Sequence, residues 1–171
     1  NKNVGEFYKP MSYEYFDKNY FNHIEFDNDG VFVAVENDEV IGFIFSHIRK
    51  IEKDDNNFPG YISVLLVDKD YRHQGIGKAL LNKAECYLNS KGKNKICFGY
   101  IGTINMPWYI PNTDHHDHNG APGPAVNSDL YCFLLNNGYD VIDEEDAFHL
   151  DLSKFNMPEK VKEDLAKLEN E

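Results

Sequence analysis

The residues with the clearest chemical potential lie in the segment VDKDYRHQGIGKALL, residues 67–81. An apolar helical period begins near Ile76, but no Ser, Thr, Asp or Asn stands directly before it to cap the free amides. Three basic residues lie at this helix start instead: Arg72, His73 and Lys78. Because a helix N-terminus carries about half a positive charge and Gly75 and Gly77 leave the backbone accessible, the segment predicts a bound anion, best a pyrophosphate.

Two better-known phosphate motifs do not fit this segment. A Walker loop requires glycine where Arg72 stands and Ser or Thr where Ala79 stands. The dinucleotide-binding fingerprint requires a third glycine at the position of Leu80. An anion site of another type remains, and the alternative is a tight turn that needs glycine for its conformation alone.

A strand must precede this segment and a helix must follow it, and the sequence pattern predicts both. Apolar runs predict a hairpin at 30–36 and 40–48 and single strands at 61–67 and 95–101. Helical spacing predicts four helices: 12–22 capped by Ser12, 75–91, 127–139 capped by Asn127 and ended by Gly138, and a C-terminal helix with Pro158 at its first position. One or two final strands are expected between residues 141 and 152.

The stretch LLVDKDYRHQGIGKALL resembles motif A of the GCN5-related N-acetyltransferase (GNAT) superfamily, and the order of elements over 12–152 is similar to that of the family. The resemblance implies an α+β, three-layer fold in which helices flank a mixed, mostly antiparallel twisted sheet. Residues 1–152 are expected to form this domain, with 153–171 as a helical extension or linker. The implied co-substrate is acetyl-CoA or another acyl-CoA.

The same resemblance implies which residues contact CoA. The end of the strand would pair with the pantetheine arm through Leu65, Leu66 and Val67. The turn would bind the pyrophosphate through Arg72, His73, Gln74, Gly75, Ile76, Gly77 and Lys78. Asn127 matches the asparagine of the family pattern N-x-x-A-x-x-(F/L)-Y and is also expected to contact the cofactor.

The implied reaction is direct attack of a primary amine, on a small molecule or a peptide, on the thioester. The family often has a glutamate base in the middle of the strand, where this chain has Ser63. Counting from Asn127 to the tyrosine acid of the family gives Leu134, so Tyr131, on about the same helical face, is the candidate acid. His47 is a further candidate base, and a hydrogen-bonded core histidine is its alternative.

Residues 102–126 show neither the helical nor the strand spacing of apolar residues, and they are unusually rich in polar and aromatic groups. The candidate acceptor-binding residues in this loop are Trp108, Tyr109, His115 and His116. The groups from Asp114 to His118 also have the chemistry of metal ligands. Adjacent loop residues seldom converge on one ion, so a solvated polar loop is the alternative and no metal is expected.

Composition and charge limit the partners. With 171 residues, 42% of them hydrophobic, the chain predicts one domain with its own core. The formal charge of -12 disfavours nucleic acid and anionic membranes and favours a cationic acceptor. Cys86, Cys97 and Cys132 show no metal spacing and predict reduced core thiols in a cytoplasmic protein. Neither a membrane segment nor a signal sequence is predicted.

The ends of the sequence suggest a module cut from a longer protein. The chain starts at Asn1 without a methionine, and its charged C-terminal helix is similar to a connector between two GNAT modules. A second module or a homodimer is therefore an expected partner. Two other functional classes remain open: a non-catalytic acyl-CoA-binding module that keeps the pyrophosphate turn, and a metal-binding domain based on the histidine loop.

Overall fold

The computed structural model describes residues 9–50, 58–99, 123–146 and 151–168. Its strands are β1 Val31–Glu36, β2 Glu39–Ile48, β3 Gly60–Val67 and β4 Ile96–Phe98. Its helices are α1 Tyr13–Phe16, continued by a π-helical turn Asp17–Phe21, then α2 Ile76–Ser90, α3 Asp129–Asn136 and α4 Glu159–Leu168. The hairpin, the strand before the basic turn and the helix after it are confirmed.

The four strands form one sheet in the order β1-β2-β3-β4. The first three strands are antiparallel, and β4 runs parallel to β3. Asn37 and Asp38 both have positive φ, as the twist of a tight hairpin turn requires. The helix α2 makes the crossover that a parallel pair needs. The sheet is thus mixed and mostly antiparallel with flanking helices, which confirms the α+β class.

Each face of the sheet packs into its own hydrophobic core. On one face, α2 contributes buried side chains at helical spacing: Leu80, Leu81, Ala84, Tyr87 and Leu88. They pack against Ile44, Ile62 and Leu65 of the sheet. On the other face, Tyr20 of the π-helical turn packs with Phe45 and Val64. Because β3 contributes to both cores, its main chain is held firmly in place.

Two predictions about local structure were wrong, and a third, the final strands between 141 and 152, is contradicted over the residues that the structure describes. The cap of α3 is Ser128, whose Oγ accepts the Tyr131 N–H at 3.2 Å, while Asn127 adopts φ 64, a conformation that asparagine tolerates. Residues 140–146 contain no strand, and 147–150 lie outside the described residues. In α4 the first helical residue is Glu159 and not Pro158.

The prediction that the cysteines are core residues was also wrong. Cys86 and Cys132 are exposed and Cys97 is half-buried, and all three are free thiols. Cys86 lies on α2, whose inward face passes through Ala84, Tyr87 and Leu88, so its side chain points outward.

The C-terminal helix α4 is exposed along its whole length. The division of the chain near residue 152 stays a prediction. Within the described ranges, no helix has both the length and the apolar character needed to cross a membrane.

Candidate active site

The candidate site begins where β3 and β4 separate. β4 pairs only with the first three residues of β3, the last pair being Ile62 with Phe98. The Gly99 N–H donates to the Ile62 carbonyl at 3.1 Å and closes this pairing. From Ser63 to Val67, no strand of the described residues pairs with β3 on this side. Such an open main-chain edge can accept another extended group as an added strand.

A β-bulge marks the same point of β3. Phe45 pairs with Val64 and Ser46 pairs with Ile62, which leaves Ser63 without an opposite residue in β2. A bulge bends the strand and changes the direction of its side chains, and bulges are frequent beside active sites. As a result, Ser63 and Val64 face the same side of the sheet, Ser63 toward His47 and Val64 into the core beneath the π-helical turn.

The side chains at the end of β3 pack against the two cores. Leu65 and Val67 pack on the α2 side, while Leu66 packs on the opposite side. Leu65 is buried, whereas Leu66 and Val67 are half-buried. Their predicted contact with a pantetheine arm stays a prediction.

The turn after β3 has an unusual backbone. The Asp68 side chain accepts the Asp70 N–H at 3.1 Å and starts a single 3-10 turn, Lys69–Tyr71. His73 follows with φ 60 and Gly75 with φ 85, while Gln74 between them keeps a negative φ. Alternation of this kind turns successive amides toward one concavity.

The start of α2 is open, as the sequence predicts. Its N-cap is Gly75, no side chain caps it, and its first turn contains no acidic residue. The side chains of His73, Gln74 and Lys78 are exposed around it, whereas Ile76 packs against the core. The first amides of a helix have no partner within the helix, so they are available to an anion here.

The two glycines of the turn have different roles. Gly75 needs its left-handed conformation, and a Cβ added there would meet no atom within 4 Å. At Gly77 the backbone is ordinary, but a Cβ would lie 3.6 Å from the Phe133 ring and 3.8 Å from Val67 Cγ2. Gly75 thus shapes the turn, while the space at Gly77 between α2, α3 and the end of β3 has room for a methyl group.

Replacing Gly77 by alanine should preserve the fold and raise the free energy of unfolding by up to about 1 kcal/mol. The added Cβ makes only ordinary van der Waals contacts, and alanine is favoured over glycine in a helix. Urea unfolding measures this change. Gly77→Leu is the contrasting variant, since its longer side chain must displace Phe133, and it should unfold more easily. A clear loss of stability in the alanine variant would contradict this account.

Arg72 links the turn to the neighbouring elements. Its Nε donates to the Val67 carbonyl at 3.1 Å, and its Nη1 lies 3.8 Å from Asp129 Oδ2 at the start of α3. The Asp129 side chain is 88% exposed, so this ion pair contributes little stability. Part of the Arg72 side chain therefore fixes the end of the strand, and its predicted contact with pyrophosphate stays a prediction.

The helix α3 brings two other predicted residues near this region. Asn127 is exposed just before the helix, and Tyr131 is half-buried in its first turn, with its backbone N–H bonded to Ser128. Leu134, which the family count selects, is buried and has no acidic proton. The structure gives Tyr131 no hydrogen-bond partner for its hydroxyl among the described residues, and its role as acid stays a prediction.

A buried polar cluster lies behind the bulge. His47 is fully buried, stacked between Phe45 and Tyr61 with ring centroids 5.5 Å from each. Its Nε2 lies 3.1 Å from Ser63 Oγ. On the other side of the ring, Glu25 Oε2 lies 3.3 Å from Nδ1, an ion-pair distance outside the angles of a hydrogen bond. The three side chains form a line that ends at the half-buried Ser63.

Two further hydrogen bonds hold Glu25 in place. Its Oε1 accepts the Lys50 N–H at 3.1 Å, and its own N–H donates to His23 Nδ1 at 3.1 Å. Burial lowers the pKa of His47 from 6.5 to about 4, an effect that the Glu25 carboxylate opposes and His23 reinforces. At neutral pH His47 is therefore uncharged and able to accept a proton.

The predicted acceptor residues Trp108, Tyr109, His115 and His116 lie outside the described residues, as does the whole segment 114–118. Among the residues that the structure does describe, no three His, Cys, Asp or Glu side chains are grouped as metal ligands would be.

The sequence also matches a known protein family. A family model described as the acetyltransferase (GNAT) family covers residues 3–107 of the 171. The chain belongs to this family. The resemblance seen in the basic turn is thus confirmed for the larger part of this GNAT chain.

The individual proteins that resemble this GNAT chain match it over a short stretch or at low sequence identity. An uncharacterised N-acetyltransferase of Methanocaldococcus jannaschii is 34% identical over 79 residues, which are 46% of this chain and 34% of the relative. The matched part thus spans about a third of that relative. Among solved structures, a Pyrococcus furiosus protein assigned as an acetyl transferase aligns with a TM-score of 0.48 and 21% identity, over 70% of this chain and 64% of its own. An aminoglycoside acetyltransferase from an uncultured soil metagenomic sample aligns with a TM-score of 0.48 and 20% identity, over 88% of this chain and 78% of its own.

Sequence reasoning missed the connection between Glu25, His47 and Ser63. The sequence indicates His47 and Ser63 only as separate candidates and gives no sign of Glu25. The usable signal is a histidine and a serine on two strands that follow one another along the chain, because consecutive strands commonly lie side by side in a sheet. The bulge that brings them to one face has no clear signature in YISVLLV.

Proposed function

We propose that this GNAT chain transfers an acetyl group, or another acyl group, from CoA to a primary amine. The observation that carries the proposal is the order of two features along one segment. Among the described residues, the edge of β3 beyond Ile62 is unpaired as far as Val67, and the uncapped start of α2 follows at Ile76. A pantetheine arm suits the first feature and a pyrophosphate suits the second, so one extended molecule would satisfy both.

The position of Arg72 supports a preformed site. Its bond to the Val67 carbonyl joins the end of the open edge to the turn, and its contact with Asp129 brings α3 beside them. A site whose backbone is already arranged loses less conformational entropy when it binds a ligand. Acyl-CoA is therefore the proposed co-substrate.

The acceptor that we propose is a cationic small molecule or peptide with a primary amine. The support is electrostatic, because a formal charge of -12 attracts cations and repels nucleic acid and anionic membranes. The reaction is direct attack of the amine on the thioester, followed by departure of the CoA thiolate. Loop 102–126 is the proposed acceptor surface on sequence grounds alone.

Two measurements on the full chain test this function. Calorimetry with acetyl-CoA measures binding, and thiol release measures turnover with polyamines, aminoglycosides, amino acids and peptides. We expect binding and turnover that depends on an amine, with none for matched alcohols that lack the amine. Tight binding without acceptor-dependent turnover would support the non-catalytic module instead. Absence of acetyl-CoA binding would remove both readings.

A further inference from the structure

We propose that Glu25, His47 and Ser63 form a proton relay that takes the proton from the acceptor amine and returns it to the CoA thiolate. The inference rests on the proposed acyl transfer and names the groups that move its proton. Ser63 is the group that would meet the reacting atoms, while His47 and Glu25 act through it as positioning residues.

The contacts run from Ser63 to His47 by a hydrogen bond and from His47 to Glu25 at ion-pair distance. Ser63 Oγ lies within hydrogen-bond distance of His47 Nε2, at 3.1 Å, and His47 Nδ1 lies 3.3 Å from Glu25 Oε2. A nucleophile-like hydroxyl, a histidine beside it and a carboxylate behind the histidine are the recognised parts of an activated hydroxyl. Stacking between Phe45 and Tyr61 fixes the plane of the ring, and the Lys50 amide fixes the carboxylate.

The outer end of the path lies at the opening in the sheet. Ser63 is the extra residue of the bulge, and it directly follows Ile62, the last residue of β3 that pairs with β4. Its side chain is half-buried, whereas Glu25 and His47 are buried. A proton can therefore enter or leave this cluster at Ser63, beside the edge where the proposed thioester would lie.

The charge state of the cluster leaves His47 with one unprotonated ring nitrogen. His47 is neutral at pH 7, because burial lowers its pKa to about 4. A carboxylate 3.3 Å from Nδ1 favours the tautomer with its hydrogen on Nδ1, which leaves Nε2 to accept from Ser63. The same carboxylate stabilises the imidazolium while it exists.

The proton steps are balanced within one turnover. The neutral amine attacks the thioester carbon and a C–N bond forms, which makes the nitrogen strongly acidic. Its proton passes to Ser63 Oγ as the Ser63 hydroxyl proton passes to His47 Nε2. The C–S bond then breaks, and the imidazolium returns a proton through Ser63 to the departing thiolate. The amine has lost one hydrogen, CoA has gained one, and the relay is restored.

The matched pair Ser63→Thr and Ser63→Val tests the hydroxyl directly. The two side chains have nearly the same shape and both suit a strand, but only threonine keeps the hydroxyl. General acid and base catalysis contributes about 10²-fold or more, so we expect Ser63→Val to lower kcat by at least about 100-fold. Ser63→Thr should keep kcat within about tenfold of the wild type. Calorimetry should show acetyl-CoA affinity within about twofold for both variants.

The inner residues have their own variants. We expect His47→Gln to lower kcat as strongly as Ser63→Val. The double variant should lose no more activity than either single variant, because the two substitutions interrupt the same proton path. Glu25→Gln should lower kcat by a smaller factor. Full turnover in Ser63→Val, or equal losses in the valine and threonine variants, would overturn the relay.

A spectroscopic measurement separates the relay from the proposed function. Nitrogen-15 NMR of the full chain reports the tautomer of His47 without any turnover. The relay requires hydrogen on Nδ1 and an accepting Nε2, with a change at Nε2 in Ser63→Val and not in Ser63→Thr. Hydrogen on Nε2 would overturn the relay even in an active enzyme. If NMR shows hydrogen on Nδ1 but the chain has no acceptor-dependent turnover, the result would contradict the proposed acyl transfer. The relay, which depends on that reaction, would then be rejected as well.

Discussion

Replacing Gly75 by valine should weaken acetyl-CoA binding by about 100-fold or more, whereas asparagine at the same position should keep the affinity within about tenfold. Gly75 has φ 85, which a β-branched side chain opposes and asparagine tolerates. We expect valine to shift the turn into another conformation, so that the amides at the start of α2 no longer converge. Loss of two hydrogen bonds to a charged group, each worth about 1.5–3 kcal/mol, accounts for the expected loss of affinity.

The comparison of these two variants isolates backbone conformation from bulk. A Cβ at Gly75 would meet no atom within 4 Å, so neither side chain is excluded by its surroundings. Valine and asparagine are similar in size, and calorimetry on both measures the affinity, with urea unfolding as the check on folding. Equal affinities would show that the left-handed turn does not bind CoA. Equal and severe losses would show that any side chain at this position blocks the ligand, which is a different mechanism.

Local patterns were sufficient to predict most of the elements around the site. The hairpin, the strand before the turn and the helix after it follow from apolar spacing over short windows. The open start of α2 was equally visible, since it depends on which residues adjoin Gly75. Features of this kind need no knowledge of how distant segments pack.

The features that sequence did not predict depend on distant contacts or on a choice between similar neighbours. Glu25 and His47 are far apart in sequence and meet only after the sheet forms. The bulge at Ser63 changes which side chains share a face, and a period-two pattern cannot locate an extra residue. Asn127 and Ser128 are both good caps, and only the left-handed backbone of Asn127 decides between them.

Between about pH 6.5 and 4, the free energy of unfolding should fall as the pH falls, by up to about 3 kcal/mol, and His47→Gln should abolish most of this dependence. Burial lowers the pKa of His47 from 6.5 in the unfolded chain to about 4 in the folded protein. Above pH 6.5 both states leave the imidazole neutral, so the residue adds no pH dependence there. Between the two values the unfolded state binds a proton that the folded state does not, which favours unfolding by about 1.4 kcal/mol per pH unit.

The groups that face His47 set the size of this effect. Glu25 opposes the lowered pKa through its carboxylate, and His23 reinforces it. Tyr61 and Ser63 contact the ring as neutral groups at these pH values. Asp27, whose pKa is lowered mainly by the backbone N–H of Asp29, affects stability only as the pH falls below about 3.8, so its contribution lies outside the window.

Urea unfolding at several pH values between 4 and 7.5 measures this dependence, and His73→Gln provides the control because that histidine is exposed. The control should follow the wild type, while His47→Gln should show a much flatter curve. An unchanged curve in His47→Gln would mean that the pKa of His47 is the same in the folded and unfolded states, so that burial does not lower it. A wild type that instead gains stability relative to His47→Gln as the pH falls would have a raised His47 pKa. His47 would then carry a proton on both ring nitrogens near neutral pH, with none free to accept from Ser63, so this stability measurement also tests the proposed proton path.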